Sequence, residues 1–368
     1  MVAEAQVDAI RSADAFPAQF WRRAEDGRVE CGLCPRQCRL GEGQRGFCFV
    51  RGNLGGALVL LAYGRSSGFC ADPIEKKPLN HFLPGTAVFS FGTAGCNLAC
   101  RFCQNWDLSR ARDQDRLLDR AGPEAIARAA LDLGCRSVAF TYNDPVVFHE
   151  YCLDTALACH ALGLRTVAVT AGYQCAGPRR AFYRHMDAAN IDLKAFSEAF
   201  YQRFCGAHLQ PVLETLLHVR HETRTWLELT TLLIPGANDS EAELQALTQW
   251  VAEHLGPDVP LHFTAFHPAG AMPRTPATPL ATLLEARRIA LGNGLRHVYL
   301  GNVPGGAWEG THCHACGHLL IGRDGYRLTA WNLAPGGACP RCTAPCPGVF
   351  ETEPGTWGPK RVPARLRT

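Results

Sequence analysis

The chain has 368 residues, 47% of them hydrophobic, with 19% charged and a formal net charge of +3. That length can bury one large core with small appendages. The balanced charge, without a dense basic run, gives no footing for a nucleic-acid binder or for a partner held by bulk charge.

In chain order, the opening stretch MVAEAQVDAIRSADAFPAQF lacks the apolar core of a signal peptide. No later run reaches the ~18 apolar residues of a membrane span, so a cytoplasmic location is expected. In a reducing compartment the 18 cysteines read as metal or redox sites and not as a disulfide framework. Residues 1–85 read as an irregular module organised by Cys31, Cys34, Cys38 and Cys48, spaced C-x2-C-x3-C-x9-C. Four such ligands close either a structural zinc or an auxiliary iron–sulfur cluster. Zinc is the simpler reading, because nothing else in the chain requires a second redox centre. The segment DPIEKKPLNHFLPG follows. Its Glu75, Lys76, Lys77 and His81 line a substrate mouth, meet a partner protein, or form an ion-paired linker.

Residues 86–309 change texture. The β-branched runs AVFSFGTAG, SVAFTYN, TVAVTAG, NIDLKAF, WLELTTLLIP, LHFTAFHP and HVYLGNVPG alternate with helix-like stretches such as PEAIARAALDLG and DSEAELQALTQWVAEHLG. This βα repetition predicts a parallel sheet with helices outside, best accommodated by a full or partial barrel. Active sites of such barrels lie at the C-terminal strand ends. Polar residues fall there: Asn143, Asp144, Thr170, Asp192, Lys194, Asn238, Asp239, His267 and Asn302. Residues 310–368 form a third module and tail. Cys313, Cys316, Cys339 and Cys342 make two CxxC knuckles, the pattern of a zinc ribbon, although four thiolates also suit a single iron. His312, His314 and Cys346 are spare donors nearby, with Cys346 outside the primary set. Arg361, Arg365 and Arg367 read as a solvated tail, and Cys70, Cys135, Cys152, Cys159, Cys175 and Cys205 as small buried apolar residues.

The segment FGTAGCNLACRFCQNW carries the chemistry. Cys96, Cys100 and Cys103, spaced C-x3-C-x2-C, follow directly on a predicted strand. Three thiolates hold three irons of a cubane and leave the fourth without a protein ligand, as a catalytic site needs. A zinc loop or three unrelated thiols is the bland alternative. Phe102, just before the last cysteine, would cover the side of a cluster. This loop, opening a βα chain, resembles the radical S-adenosylmethionine (SAM) superfamily. The further matches DPIEKKPLNHFLPG, TYNDP, IDLKAF, LIPGAND, FHP and GNVPG resemble the AmmeMemoRadiSam-system enzymes, relatives of pyruvate formate-lyase-activating enzyme. The resemblance implies a partial (β/α)6 barrel, a [4Fe–4S] cluster on Cys96, Cys100 and Cys103, and SAM chelating the open iron. It further implies reductive cleavage of SAM to a 5′-deoxyadenosyl radical that abstracts hydrogen from a substrate.

The same resemblance places Asn143 and Asp144 at the SAM amino group, Asp192 and Lys194 at its methionine end, and His267 at its ribose or adenine. Asp144, before Pro145, is equally a candidate helix N-cap. Where relatives often carry Asn before Gly, this chain has Ala171, so Thr170 or a backbone group takes that place. The implied partners are a low-potential electron donor such as flavodoxin or ferredoxin, and either a protein activated at a glycine or another substrate handled with companion proteins. The competing reading is a non-catalytic zinc-binding scaffold.

Overall fold

The computed structural model describes residues 15–111, 119–303 and 305–366. Residues 1–14 of the stretch read above for a leader, Pro304 of GNVPG and Arg367 of the tail lie outside these residues. The core is a nine-stranded sheet. Its members in chain order are β1 (Phe69–Pro73), β2 (Ala87–Phe91), β3 (Ser137–Phe140), β4 (Arg165–Thr170), β5 (Ala188–Asp192), β6 (Trp226–Leu233), β7 (Leu261–Ala265), β8 (Val298–Gly301) and, from the tail, a closing strand (Val362–Ala364). Strands β2 to β8 lie side by side in sequence order, all parallel. Thus all seven β-branched runs became strands, one more than the six of the implied barrel. β1 pairs antiparallel with β2, and the tail strand antiparallel with β1.

Each parallel step crosses through a helix: α1 (Pro123–Asp132), α2 (His149–Ala161), α3 (Ala176–Tyr183), α4 (Gln210–Glu222), α5 (Glu241–His254) and α6 (Leu280–Gly292). The local chemistry sets their starts. Pro123 opens α1, where its missing N–H is no loss. The Ser240 hydroxyl caps α5 by accepting from Glu243 N–H. None of the helices in the described residues is long and apolar enough to cross a membrane.

Alternation along the strands gives the sheet two apolar faces. Phe89, Phe91, Val138, Phe140, Ala168 and Ile191 belong to the main core beneath the helices. Val88, Ala139, Val167 and Ala188 point the other way and are covered by Ile74, Leu79, Phe82 and Leu83. The DPIEKKPLNHF segment is therefore a plug on the sheet's inner face. A single carboxylate pins it: Glu228 of β6 accepts from Asn80 N (3.0 Å), His81 N (2.8 Å), His262 Nε2 (2.7 Å) and Trp226 Nε1 (3.0 Å). Burial alone would raise the Glu228 pKa, but its bonds to His262 and the plug hold it below the usual carboxylate range.

Among the described residues there are four smaller sheets, two of which stand beside the outer cysteine sets. Strands Trp21–Arg23, Val29–Cys31 and Arg39–Leu40 form one. Thr311–His312, β9 (Leu319–Asp324) and β10 (Arg327–Trp331) form the other.

Candidate active site

The loop after β2 is shaped by its backbone before its thiols. Gly95 has φ +77°, and a side chain there would run into the carbonyl of Cys48. Asn143, at the end of β3, holds the loop with its whole amide. Its Oδ1 accepts from Thr93 N (2.9 Å), and its Nδ2 donates to Thr93 Oγ1 (3.0 Å), Ala94 O (3.2 Å) and Gly95 O (2.9 Å). Asp144 is just as occupied. It accepts from Val146 N (3.0 Å) as the cap predicted for the turn at Pro145, and from Thr170 Oγ1 (2.9 Å) and Ala171 N (2.9 Å). The side chains of Asn143, Asp144 and Thr170 thus build the frame of the site, and all three residues also line its cavity.

Cys96, Cys100 and Cys103 open onto a cavity of about 610 Å³ at the C-terminal ends of the strands, and Asp192, Lys194, Thr230, Thr264 and Asn302 line it too. Residues from β3 through β8 share this wall, so the sheet curls around it. Among the described residues the three sulfurs do not all lie within 4.8 Å of one another. That spacing is too wide for one tetrahedral ion, whose ~2.3 Å bonds keep sulfurs about 3.8 Å apart. It is compatible with the broader face of a multi-iron cluster. No fourth thiol lines the cavity among the described residues. As bare thiols all three are held protonated. Burial raises Cys96 and Cys103, while at Cys100 a hydrogen bond with Cys205 leads and burial adds to it. Metal loading must displace those protons.

On the same cavity, Lys194 Nζ donates to Asp192 Oδ2 at 2.7 Å. Burial works against the ammonium, but Asp192 outweighs it and Lys194 stays charged. Lys194 also stands 5.8 Å from the Phe102 ring centre, and Phe102 is buried on the cavity wall. The donor set fits the cofactors that the sequence implies: three thiols for iron, an open side, and a carboxylate–ammonium pair for the charged end of an amino acid.

Other expected residues are placed differently. His267 is exposed, 3.3 Å from the Asn302 carbonyl, and is not on the cavity wall. His262 takes that wall, held by Glu228. Asn238 turns inward to cap its own loop, donating to Lys194 O (2.7 Å) and Leu232 O (2.9 Å), and Asp239 accepts from Gly236 N (2.8 Å). In the plug, Lys76 and Lys77 pair with buried Asp72, at 3.0 and 2.7 Å, while Glu75 reaches the cavity. Glu75 is pushed up to about 7, chiefly by burial. A further part of the cavity wall, which sequence reading missed, comes from Tyr299 and Glu309 and from Arg323 and Tyr326 of the C-terminal module. Cys205, read from the sequence as a small buried residue, is buried. It belongs to a short π-helical turn, Tyr201–Cys205, whose carbonyls accept from Ala99 N (2.7 Å) and Arg101 N (2.8 Å) of the cysteine loop.

In the C-terminal module the four thiols of Cys313, Cys316, Cys339 and Cys342 do come within 4.8 Å of one another, with pairs at 3.5 and 3.6 Å. Cys346 stands apart, 4.0 Å from His81 Nδ1. The N-terminal Cys31, Cys34, Cys38 and Cys48 surround a separate small void behind the catalytic loop.

The chain is similar to several known proteins. The family model for the radical SAM superfamily matches residues 91–247. An uncharacterized protein of Methanocaldococcus jannaschii, MJ0808, is 40% identical over 316 residues, which span 86% of this chain and 94% of that protein. Among solved structures, a domain of pyruvate-formate lyase-activating enzyme from Bacteroides vulgatus is 17% identical with a TM-score of 0.41, covering 45% of this chain and 99% of that one. A radical SAM methyltransferase from Sphaerobacter thermophilus is 16% identical with a TM-score of 0.48, covering 65% and 71%.

Proposed function

The chain belongs to the radical SAM superfamily of enzymes, and on that premise we propose that Cys96, Cys100 and Cys103 hold its [4Fe–4S] cluster and that Asp192 and Lys194 receive the methionine end of SAM. Bound together, cluster and SAM supply one-electron cleavage of the sulfonium and hydrogen-atom abstraction from a substrate. The observation that carries the assignment is that three thiols and a carboxylate–ammonium pair line one cavity, with no fourth thiol on its wall among the described residues.

The chain's own residues then have distinct tasks. Lys194 presents a fixed positive charge to a carboxylate, and Asp192 presents a negative one to an ammonium. Asn143 and Asp144 hold the loop and the β3 turn so that neither moves when the cavity fills. Phe102, packed on Phe200 with ring centres 5.8 Å apart, keeps water from the thiols. The C-terminal thiol set, at single-ion spacing, is assigned a structural zinc. The sequence resemblance to activating enzymes supports a protein substrate with a glycine as the site of hydrogen abstraction, and flavodoxin or ferredoxin as electron donor. A glycyl-radical doublet in a co-expressed partner protein is the signature of that substrate class.

Anaerobically reconstituted protein tests the core assignment. Its reduced-cluster spectrum should shift when SAM is added, and dithionite should yield 5′-deoxyadenosine. Zinc at this loop, or a spectrum indifferent to SAM, overturns the proposal.

A further inference from the structure

We propose that Cys31, Cys34, Cys38 and Cys48 hold a second four-iron cluster, which passes electrons to the catalytic loop across Asn97. The cluster assignment stands on its own, while its electron-carrying role rests on the function proposed above.

Three parts of the N-terminal module bring the thiols together. Cys31 ends the strand Val29–Cys31. Cys34 and Cys38 come from the turn that follows, which is bent by Gln37 at φ 44°. Cys48 comes from a second turn, bent by Phe49 at φ 68°. All four line one small void. The sequence favoured zinc as the simpler occupant, but the spacing does not. Among the described residues, no three of these sulfurs lie within 4.8 Å of one another, whereas the C-terminal four do. A zinc ion needs tetrahedral sulfurs about 3.8 Å apart, and a cubane separates its thiolates further.

The void's wall is built for an anion. Arg51 is 1% exposed and lines it. Its Nε donates to Val147 O (3.1 Å) and its Nη2 to Glu150, which is also buried. Its Nη1 is buried with no hydrogen-bond partner, a donor left over that a cluster sulfide or a thiolate would accept. A second donor, Phe47 N–H, already points at Cys38 Sγ, at 3.5 Å. Leu33, Leu40, Val146 and Val147 close the rest. Thiolates and sulfides with N–H donors in an apolar shell are the surroundings that tune such clusters.

The void and the catalytic cavity share a partition. Cys96 and Leu98 line the cavity, while Asn97, between them, lines the void. Arg36, also on the void, donates to the Asn97 carbonyl, and the Cys48 carbonyl abuts Gly95. One loop thickness therefore separates the two thiol sets. The electron account is simple. A reduced low-potential one-electron carrier protein gives one electron to the second cluster, which hands it on and returns to its oxidised state. No atom or proton is transferred.

The Cys96→Ala/Cys100→Ala/Cys103→Ala variant leaves the N-terminal module intact and decides the cluster. After anaerobic reconstitution it should keep about half of the wild-type iron and acid-labile sulfide. Dithionite should then give a reduced-cluster paramagnetic signal that SAM does not change. Zinc without sulfide in this variant overturns the proposal. If the catalytic assignment fails instead, the wild type has no SAM-sensitive signal while the variant's cluster persists. A Cys34→Ala/Cys38→Ala variant tests the electron role. Its remaining cluster should be reduced at the wild-type rate by dithionite and at least tenfold more slowly by reduced flavodoxin, followed by absorbance bleaching. Equal slowing with both reductants, or none with flavodoxin, overturns the relay, and if that variant does not fold, flavodoxin reduction of the second cluster in the triple variant must still be seen.

Discussion

At the residue scale, the structure brings together two cysteines that the sequence reads apart. Cys205 touches Cys100 but lies behind it, outside the cavity. Cys205→Ala should keep full cluster iron after reconstitution, whereas Cys100→Ala should lose it. Iron retained in the second or lost in the first would make Cys205 the ligand. Asp192 is separable in the same way. Its carboxylate meets Lys194 through one oxygen and accepts no other hydrogen bond among the described residues. Asp192→Asn should leave iron content unchanged and weaken SAM binding at least tenfold, about 1.4 kcal/mol, by titration of the cluster spectrum. An unchanged affinity would remove Asp192 from the SAM site. The spacing of the three loop cysteines made their place legible from sequence. The cap made by Asp144 was legible from Pro145 beside it, but the internal use of Asn143 and Thr170 was not, because a polar residue at a strand end reads the same whether it binds a ligand or its own loop. Strand parity does pick out two residues of β7 on the cavity. His262 and Thr264 share a face of β7 and both reach the cavity, while His267 lies beyond the strand, where alternation no longer applies.

At the element scale, the parallel strands were readable because each is a β-branched run long enough to be buried on both faces. β1 and the tail strand were not. FCADP and VPA are short, contain proline, and take their pairing from one another and from β2. The plug was half legible: its charges suggested an ion-paired linker, which Asp72, Lys76 and Lys77 form, but nothing in the pattern showed that its apolar residues fill the sheet's inner face. Glu75 gives the plug a pH dependence. Its carboxyl titrates near 7 in the folded chain against 4.5 as the reference value, raised by burial. Below both values the native and unfolded chains hold the proton alike. As pH rises from about 4.5 the unfolded chain releases it first, so stability falls through this window and is fully lowered above about 7. At ~1.4 kcal/mol per unit the loss is on the order of 3 kcal/mol. Glu75→Gln should therefore melt progressively higher than wild type between pH 5 and pH 8. Parallel melting curves for the two proteins across that range would show that Glu75 is ionised in the fold.

At the scale of the whole molecule, the catalytic cavity is closed by parts far apart in sequence, which is why part of its wall could not be read in advance. Arg323 of β9 donates to Asn80 O (2.6 Å) in the plug and to Thr311 Oγ1 (2.8 Å). Thr311 in turn meets Tyr299 of β8 at 2.7 Å. Backbone bonds between Leu83 and Val349 (2.8 Å), and between Val349 and His81 (2.7 Å), fasten the region after the second knuckle to the same plug. Little apolar core holds that module by itself: Leu320 and Ile321 are its buried aliphatic residues, and the rest of its buried cluster is cysteine. A metal on Cys313, Cys316, Cys339 and Cys342 must then supply much of its folding energy. Cys316→Ser should lose one zinc per chain, melt at lower temperature, and be cut faster by protease between residues 310 and 350. The cysteine loop is held by Asn143, so cluster iron and its response to SAM should survive the same substitution. Substrate turnover should fall, because Glu309, Arg323 and Tyr326 lose their positions on the cavity wall. If iron and zinc are lost together, the two ends of the cavity fold as one unit and this division of labour is wrong. If melting and proteolysis are unchanged, the knuckles do not hold the wall at all.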